Sequence, residues 1–193
     1  MGTIIEQGSF NAYSQIRLDE ARSAISESIQ YARKTTVFVS HKHDELQELK
    51  GVLGFLQTQF GVKAYIDSQD PSMPKITSET TAANLKERIR RCDKFILLAT
   101  NAAIDSKWCN WELGYGDAQK FRDHIALFPL KPRGSYDSLH RGAEYLSLYP
   151  YILYEDGTDK YDNGSYILKG HYVVTPKNGK SFYQSLSNWF LNR

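Results

Sequence analysis

Four short apolar runs, separated by stretches of helical periodicity, constrain this chain more than anything else in it. Thr36-Val-Phe-Val-Ser40, Val62-Lys-Ala-Tyr-Ile66, Phe95-Ile-Leu-Leu-Ala99 and Ile125-Ala-Leu-Phe-Pro-Leu130 are rich in β-branched, aromatic and aliphatic residues. Runs of this kind read as strands, those without polar alternation as strands covered on both faces. Between the first two, Leu46, Leu49, Leu53, Leu56 and Phe60 mark one helical stripe; Asp44 and Gln47 have capping-box spacing, and Gly61 supplies a stop. Between the second and third, Thr77 or Ser78 caps a helix whose stripe is Ala82, Leu85, Ile89 and Cys92. Between the third and fourth lies a helix opening at Ser106. Pro129 hints at the end of the fourth strand. Repeated strand–helix units predict a mostly parallel sheet with helices on both faces.

In such a sheet the ligand site lies beyond the C-terminal ends of the strands. That rim gathers Ser40–Asp44, the proline-containing loop Asp67-Ser-Gln-Asp-Pro-Ser-Met-Pro-Lys75, and the start of the helix after Ser106. At about 100° per residue, Trp108, Trp111, Tyr115, Ala118 and Gln119 share one broad arc of that helix, and Glu112 lies inside it. A carboxylate among aromatic rings is costly to bury without a partner or a task. The bland alternative, Glu112 at the edge of the arc and reaching water, stays open on spacing alone.

The two ends of the chain are less regular. Apolar residues from Phe10 to Ile29 suggest one helix over residues 11–32, within a helical extension over 1–34 that either covers the sheet or serves association. The main domain is expected over 35–193, elaborated after about residue 131. There Leu148–Tyr154 reads as a fifth strand, Asp156-Gly157 and Asn163-Gly164 as turns, Tyr166-Ile-Leu and Tyr172-Val-Val as an extra hairpin. Phe182, Leu186, Trp189 and Phe190 suggest a closing amphipathic helix from Ser181.

Several function classes drop out. A formal charge of +2 with no basic run gives no nucleic-acid footprint, and no segment approaches the roughly 18 apolar residues of a membrane span. Glu6, Gln7 and Asn11 interrupt any signal segment, and Cys92 and Cys109 lack metal-ligand or disulfide spacing, so a cytoplasmic location is expected. Cys92 reads as a small core residue. His41 and His43 lack a third ligand, so no metal is expected. No Gly-x-Gly-x-x-Gly follows the first strand, against a dinucleotide-binding oxidoreductase, and no acidic pair, against a phospho-receiver.

The boxes coincide with a family. Val37-Phe-Val-Ser-His-Lys-His-Asp44 resembles the first box of TIR (Toll/interleukin-1 receptor) domains. Tyr65-Ile-Asp67 and its loop are similar to the second strand and BB loop, and Ile89-Arg-Arg-Cys-Asp-Lys-Phe-Ile-Leu-Leu-Ala99 to the third strand with its preceding helix. Ser106-Lys-Trp-Cys-Asn-Trp-Glu-Leu113 resembles the Trp-Cys-x-x-Glu-Leu segment of microbial members, and the likeness covers roughly Thr35–Leu130. The loop lacks the Arg-Asp-x-x-Pro-Gly pattern of animal receptors.

The resemblance implies a flavodoxin-like three-layer α/β fold with a five-stranded, mostly parallel sheet, here with an N-terminal helix and a C-terminal hairpin and helix. It implies cleavage of NAD+, as substrate and with no cofactor, at the nicotinamide–ribose bond, Glu112 being the catalytic residue. Substrate-binding candidates are Ser40, Lys42, His43, Asp67, Asp70 and Trp108. For several of these a plainer role stays open: Lys42 as a solvated loop lysine, Asp67 ordering its loop, Trp108 packing into the core. The likeness extends to the TIR component of Thoeris anti-phage defence. That implies self-association, a phage-derived activator and a downstream effector reached through a nucleotide product. The alternative is a non-enzymatic module acting through TIR–TIR contacts.

Overall fold

A computed structural model describes residues 2–15, 34–66, 78–120, 122–135 and 144–192. Its strands are β1 (Ile5–Glu6), β2 (Thr36–Ser40), β3 (Lys63–Tyr65), β4 (Lys94–Ala99), β5 (Ile125–Lys131), β6 (Tyr151–Glu155), β7 (Gly170–Lys177) and β8 (Lys180–Ser185). The helices are α1 (Leu46–Phe60), α2 (Glu79–Arg91), α3 (Asn101–Ile104), α4 (Lys107–Gln119) and α5 (Leu186–Leu191). The sheet runs β3-β2-β4-β5-β6-β7-β8, with β1 added beside β5. Strands β3 through β6 pair in parallel, whereas β7 and β8 are antiparallel.

Alternation along the strands divides two cores. Val37, Val39, Ile96, Leu98, Ala126 and Phe128 face α1 and α5, while Phe38, Phe95, Leu97, Ile125 and Leu127 face α2, α3 and α4. Gly61 ends α1 in the left-handed conformation, as expected of it. Ser78 caps α2, accepting the Thr81 N–H at 3.2 Å. The capping box at Asp44 does not form: Glu45 occupies the N-cap, and its carboxylate instead accepts the Thr100 hydroxyl. Of the α1 stripe, Leu46 is exposed.

The N-terminus departs from expectation. Ile5–Glu6 forms a parallel bridge to Leu130–Lys131, and Thr3 pairs with Tyr154, so β1 lies between the diverging ends of β5 and β6. Pro129 does not end β5. It sits between Leu127, whose N–H bonds the Pro150 carbonyl, and Lys131, whose carbonyl takes the Gln7 N–H; its missing donor falls where β5 changes partner. Where a helix is expected over 11–32, the described residues hold a single 3-10 turn at Asn11–Tyr13; residues 16–32 of that expectation lie outside the described residues. Phe10 is buried, its ring 4.5 Å from Phe55 and 5.7 Å from Phe128.

Two glycines of α1 make room for this segment. A Cβ on Gly51 would lie 2.8 Å from the Phe10 carbonyl oxygen, and one on Gly54 closer still to that of Tyr13. Alanine is intrinsically better than glycine in a helix by about 1 kcal/mol. Gly54→Ala is nevertheless expected to lower unfolding stability by about 1–3 kcal/mol, because backbone must retreat to admit the methyl. Denaturant melts that show a stabilised variant would refute the close packing of this segment on α1.

The C-terminal elaboration also differs. The hairpin is β7–β8, turning at Asn178 (φ 53°) and Gly179 (φ 73°), and β7 extends the main sheet through β6. Tyr166 forms an isolated bridge with Lys160 rather than a strand of the hairpin. Ser181–Ser185 is strand, so the closing helix begins at Leu186 and Phe182 stays exposed. The fifth strand starts at Tyr151, after a 3-10 turn over Glu144–Leu148. Among the described residues no helix is long and apolar enough to cross a membrane.

Candidate active site

Strand β2 delivers Ser40 to the rim. Alternation sends Val37 and Val39 toward α1, and so turns Phe38 and the terminal Ser40 toward α4. Helix α4 is set in place from its start. The Thr100 hydroxyl caps α3 by accepting the Ala103 N–H at 3.1 Å, Ser106 caps α4 by accepting the Cys109 N–H at 3.3 Å, and Asn110 ties back to the Ile104 carbonyl at 2.9 Å.

The buried face of α4 is Cys109, Glu112, Leu113 and Gly116. Gly116 packs tightly on the sheet, since a Cβ there would lie 3.1 Å from the Phe95 ring. One turn earlier on the same face is Glu112, 1% exposed, and Ser40, also 1% exposed, donates its hydroxyl to Glu112 Oε2. The expected arc was therefore rotated. Ala118 and Gln119 are exposed, while Trp108, Trp111 and Tyr115 form a half-buried stack on the helix flank. Ring separations in the stack are 5.0 and 6.1 Å, with Lys86 Nζ 5.8 Å from Trp111 and 5.5 Å from Tyr115. Trp108, half-buried, packs against the core on the α4 side. Glu112 is not at a wet edge.

The turn after Ser40 carries the other candidates. Lys42 is half-buried, its Nζ 4.0 Å from Asp44, and His43 is exposed, its ring 5.7 Å from buried His41. His41 Nδ1 lies 3.3 Å from the Val39 carbonyl. The turn is braced at its far end by Glu45 and Thr100, a pair that the sequence reading missed although Glu45 directly precedes the α1 stripe. Burial raises the Glu45 carboxyl above its ordinary range, against the lowering effect of the Thr100 hydroxyl. Asp67 and Asp70 lie outside the described residues. Among the described residues no three His, Cys, Asp or Glu side chains are grouped to hold a metal ion.

The site can therefore present an enclosed carboxylate, held by a serine hydroxyl, beside a turn bearing a cation. Such a group suits stabilisation of positive charge developing on a bound sugar. A family model described as TIR domain matches residues 37–164, well over half of the chain. A similar protein is the "Probable 3' cyclic ADP-D-ribose synthase ThsB'" of Bacillus cereus (strain MSX-D12), 31% identical over 118 residues. The alignment covers 60% of this chain and 59% of that protein's length.

Proposed function

The chain belongs to the TIR domain family, and from that premise we propose that it cleaves NAD+ at the nicotinamide–ribose bond, releasing nicotinamide and an ADP-ribose-derived signal. The observation that carries this reading is Glu112, buried on α4 and bonded by Ser40 at the C-terminal end of β2. Nicotinamide departs as a neutral molecule from a pyridinium cation, so the electron pair of the breaking bond needs no proton. One carboxylate then suffices, where most glycosidases require two carboxyl groups. Glu112 grips the ribose hydroxyls and opposes the charge of the oxocarbenium-like centre in a site screened from water. Lys42 takes a phosphate oxygen of the dinucleotide, and His43 lies along the same turn. Trp108, Asp67 and Asp70 complete the candidate set.

Water attacking the ribose carbon, its proton passing to Glu112, gives linear ADP-ribose. A hydroxyl of the same molecule attacking instead, its proton passing to Glu112, gives a cyclic isomer. The synthase name of the Bacillus cereus relative favours the cyclic outcome, in a defence role in which a phage component triggers the enzyme and its product reaches a separate effector. Self-association through TIR–TIR contacts belongs to the same reading. The test is chromatography of NAD+ products from cells expressing the protein, before and after phage challenge. Nicotinamide with a cyclic ADP-ribose isomer is expected after challenge. Undiminished NAD+ in both states would leave the non-enzymatic module as the better account.

A further inference from the structure

On the opposite side of the sheet from Glu112 lies a cavity of about 490 Å³, within the range of small-molecule sites. The N-terminal segment roofs it, and α1, β5, β6 and β7 supply the rest of its described walls. Phe10, Tyr13, Phe55, Tyr154 and His171 give those walls an aromatic character that favours a flat, polarisable guest. His171 is held among three of these rings, 4.7 Å from Phe55, 5.1 Å from Tyr154 and 6.3 Å from Phe10. Burial pushes its imidazole down to about 4, so near neutrality one ring nitrogen donates and the other accepts. A polar pair also lines the cavity: Lys131 Nζ, on a side chain 18% exposed, stands 3.5 Å from Glu6.

We propose that this cavity is a second ligand site that takes a nucleoside monophosphate, the base among the rings and the phosphate on Lys131. A neutral imidazole in an aromatic wall matches the donor–acceptor edge of a nucleobase, which a purely aliphatic guest would leave unpaired. The Lys131 ammonium meets a phosphate dianion more strongly than the single Glu6 carboxylate that it now faces. Binding is coupled to the N-terminal segment, because Phe10 and Tyr13 are both wall residues and the residues that rest on Gly51 and Gly54 of α1.

Isothermal titration of the purified full chain with AMP and with adenosine tests the proposal. One saturable AMP site is expected, with adenosine at least about tenfold weaker. Lys131→Met reduces AMP to the adenosine level. Ser9→Trp, at an exposed position on the cavity wall, blocks both ligands, and Glu112→Gln changes neither. Should Lys131→Met not fold, Ser9→Trp decides alone. No saturable AMP binding overturns the proposal. So does binding that survives Ser9→Trp, or binding lost in Glu112→Gln, which would put the nucleotide at Glu112 instead.

Discussion

Glu112→Gln is expected to lower nicotinamide release from NAD+ by at least about 10²–10³-fold, the usual cost of losing a preorganised group that opposes transition-state charge. The substitution keeps the side chain's shape and leaves an oxygen to accept the Ser40 hydroxyl, so the hydrogen bond between β2 and α4 persists. What disappears is the negative charge. The melting temperature should stay within a few degrees of the parent, so the loss of rate is not a loss of fold. Ser40→Ala should cost less, about tenfold and mainly in kcat, since it frees the carboxylate without discharging it. That contrast would distinguish the two proposed roles, Ser40 as the positioning group and Glu112 as the group that meets the substrate. Turnover unaffected by Glu112→Gln would remove the catalytic assignment and leave the TIR fold intact.

The legible part of the sequence was the part whose signal is local. Each strand covered on both faces announces itself by composition, as Phe95–Ala99 does, and Gly61 and Ser78 mark helix ends by backbone chemistry that needs no distant partner. Glu112 stood out for the same reason. Its buried neighbours on α4 are not the large rings that helical spacing groups with it but Cys109, Leu113 and Gly116. Where α4 packs tightly on the sheet only small residues fit, so Gly116 and Cys109 face Phe95 and its neighbours while the tryptophans stack aside.

The ends of the chain failed on non-local pairing. Strand β1 is two residues long and exists because β5 and β6 diverge beside it, a fact with no trace in Ile5–Glu6 itself. In the tail, Phe182, Leu186, Trp189 and Phe190 fit a helical period, which concealed the Asn178-Gly179 turn. Two successive residues at positive φ suit a tight hairpin, and that dipeptide was the better guide.

The second large effect lies at the far end of the sheet from the candidate active site. Lys94 opens β4 on the α1 side and is 0% exposed; its ammonium lies 4.8 Å from the Trp189 ring of α5 and makes no hydrogen bond among the described residues. Burial pushes its amine from 10.5 down to about 8, although Asp123 and Asp93 pull the other way. At about 1.36 kcal/mol per tenfold, that depression corresponds to roughly 3 kcal/mol against the charged folded state. The sign follows from proton counts. Between about 8 and 10.5 the unfolded chain holds the proton and the folded chain does not, so stability rises with pH across that window. Below about 8 both states are protonated and the full penalty stands. Lys94→Met keeps the length of the side chain and discards the charge, at the loss of a cation–π contact of about 0.5–2 kcal/mol. The variant is therefore expected to be about 1–3 kcal/mol more stable than the parent at pH 7, with the advantage shrinking as pH approaches 10. Urea melts of both proteins at several pH values isolate Lys94, since every other titrating group is common to the two. A variant that is less stable at pH 7, or a difference that ignores pH, would mean that the Lys94 charge is satisfied where it lies.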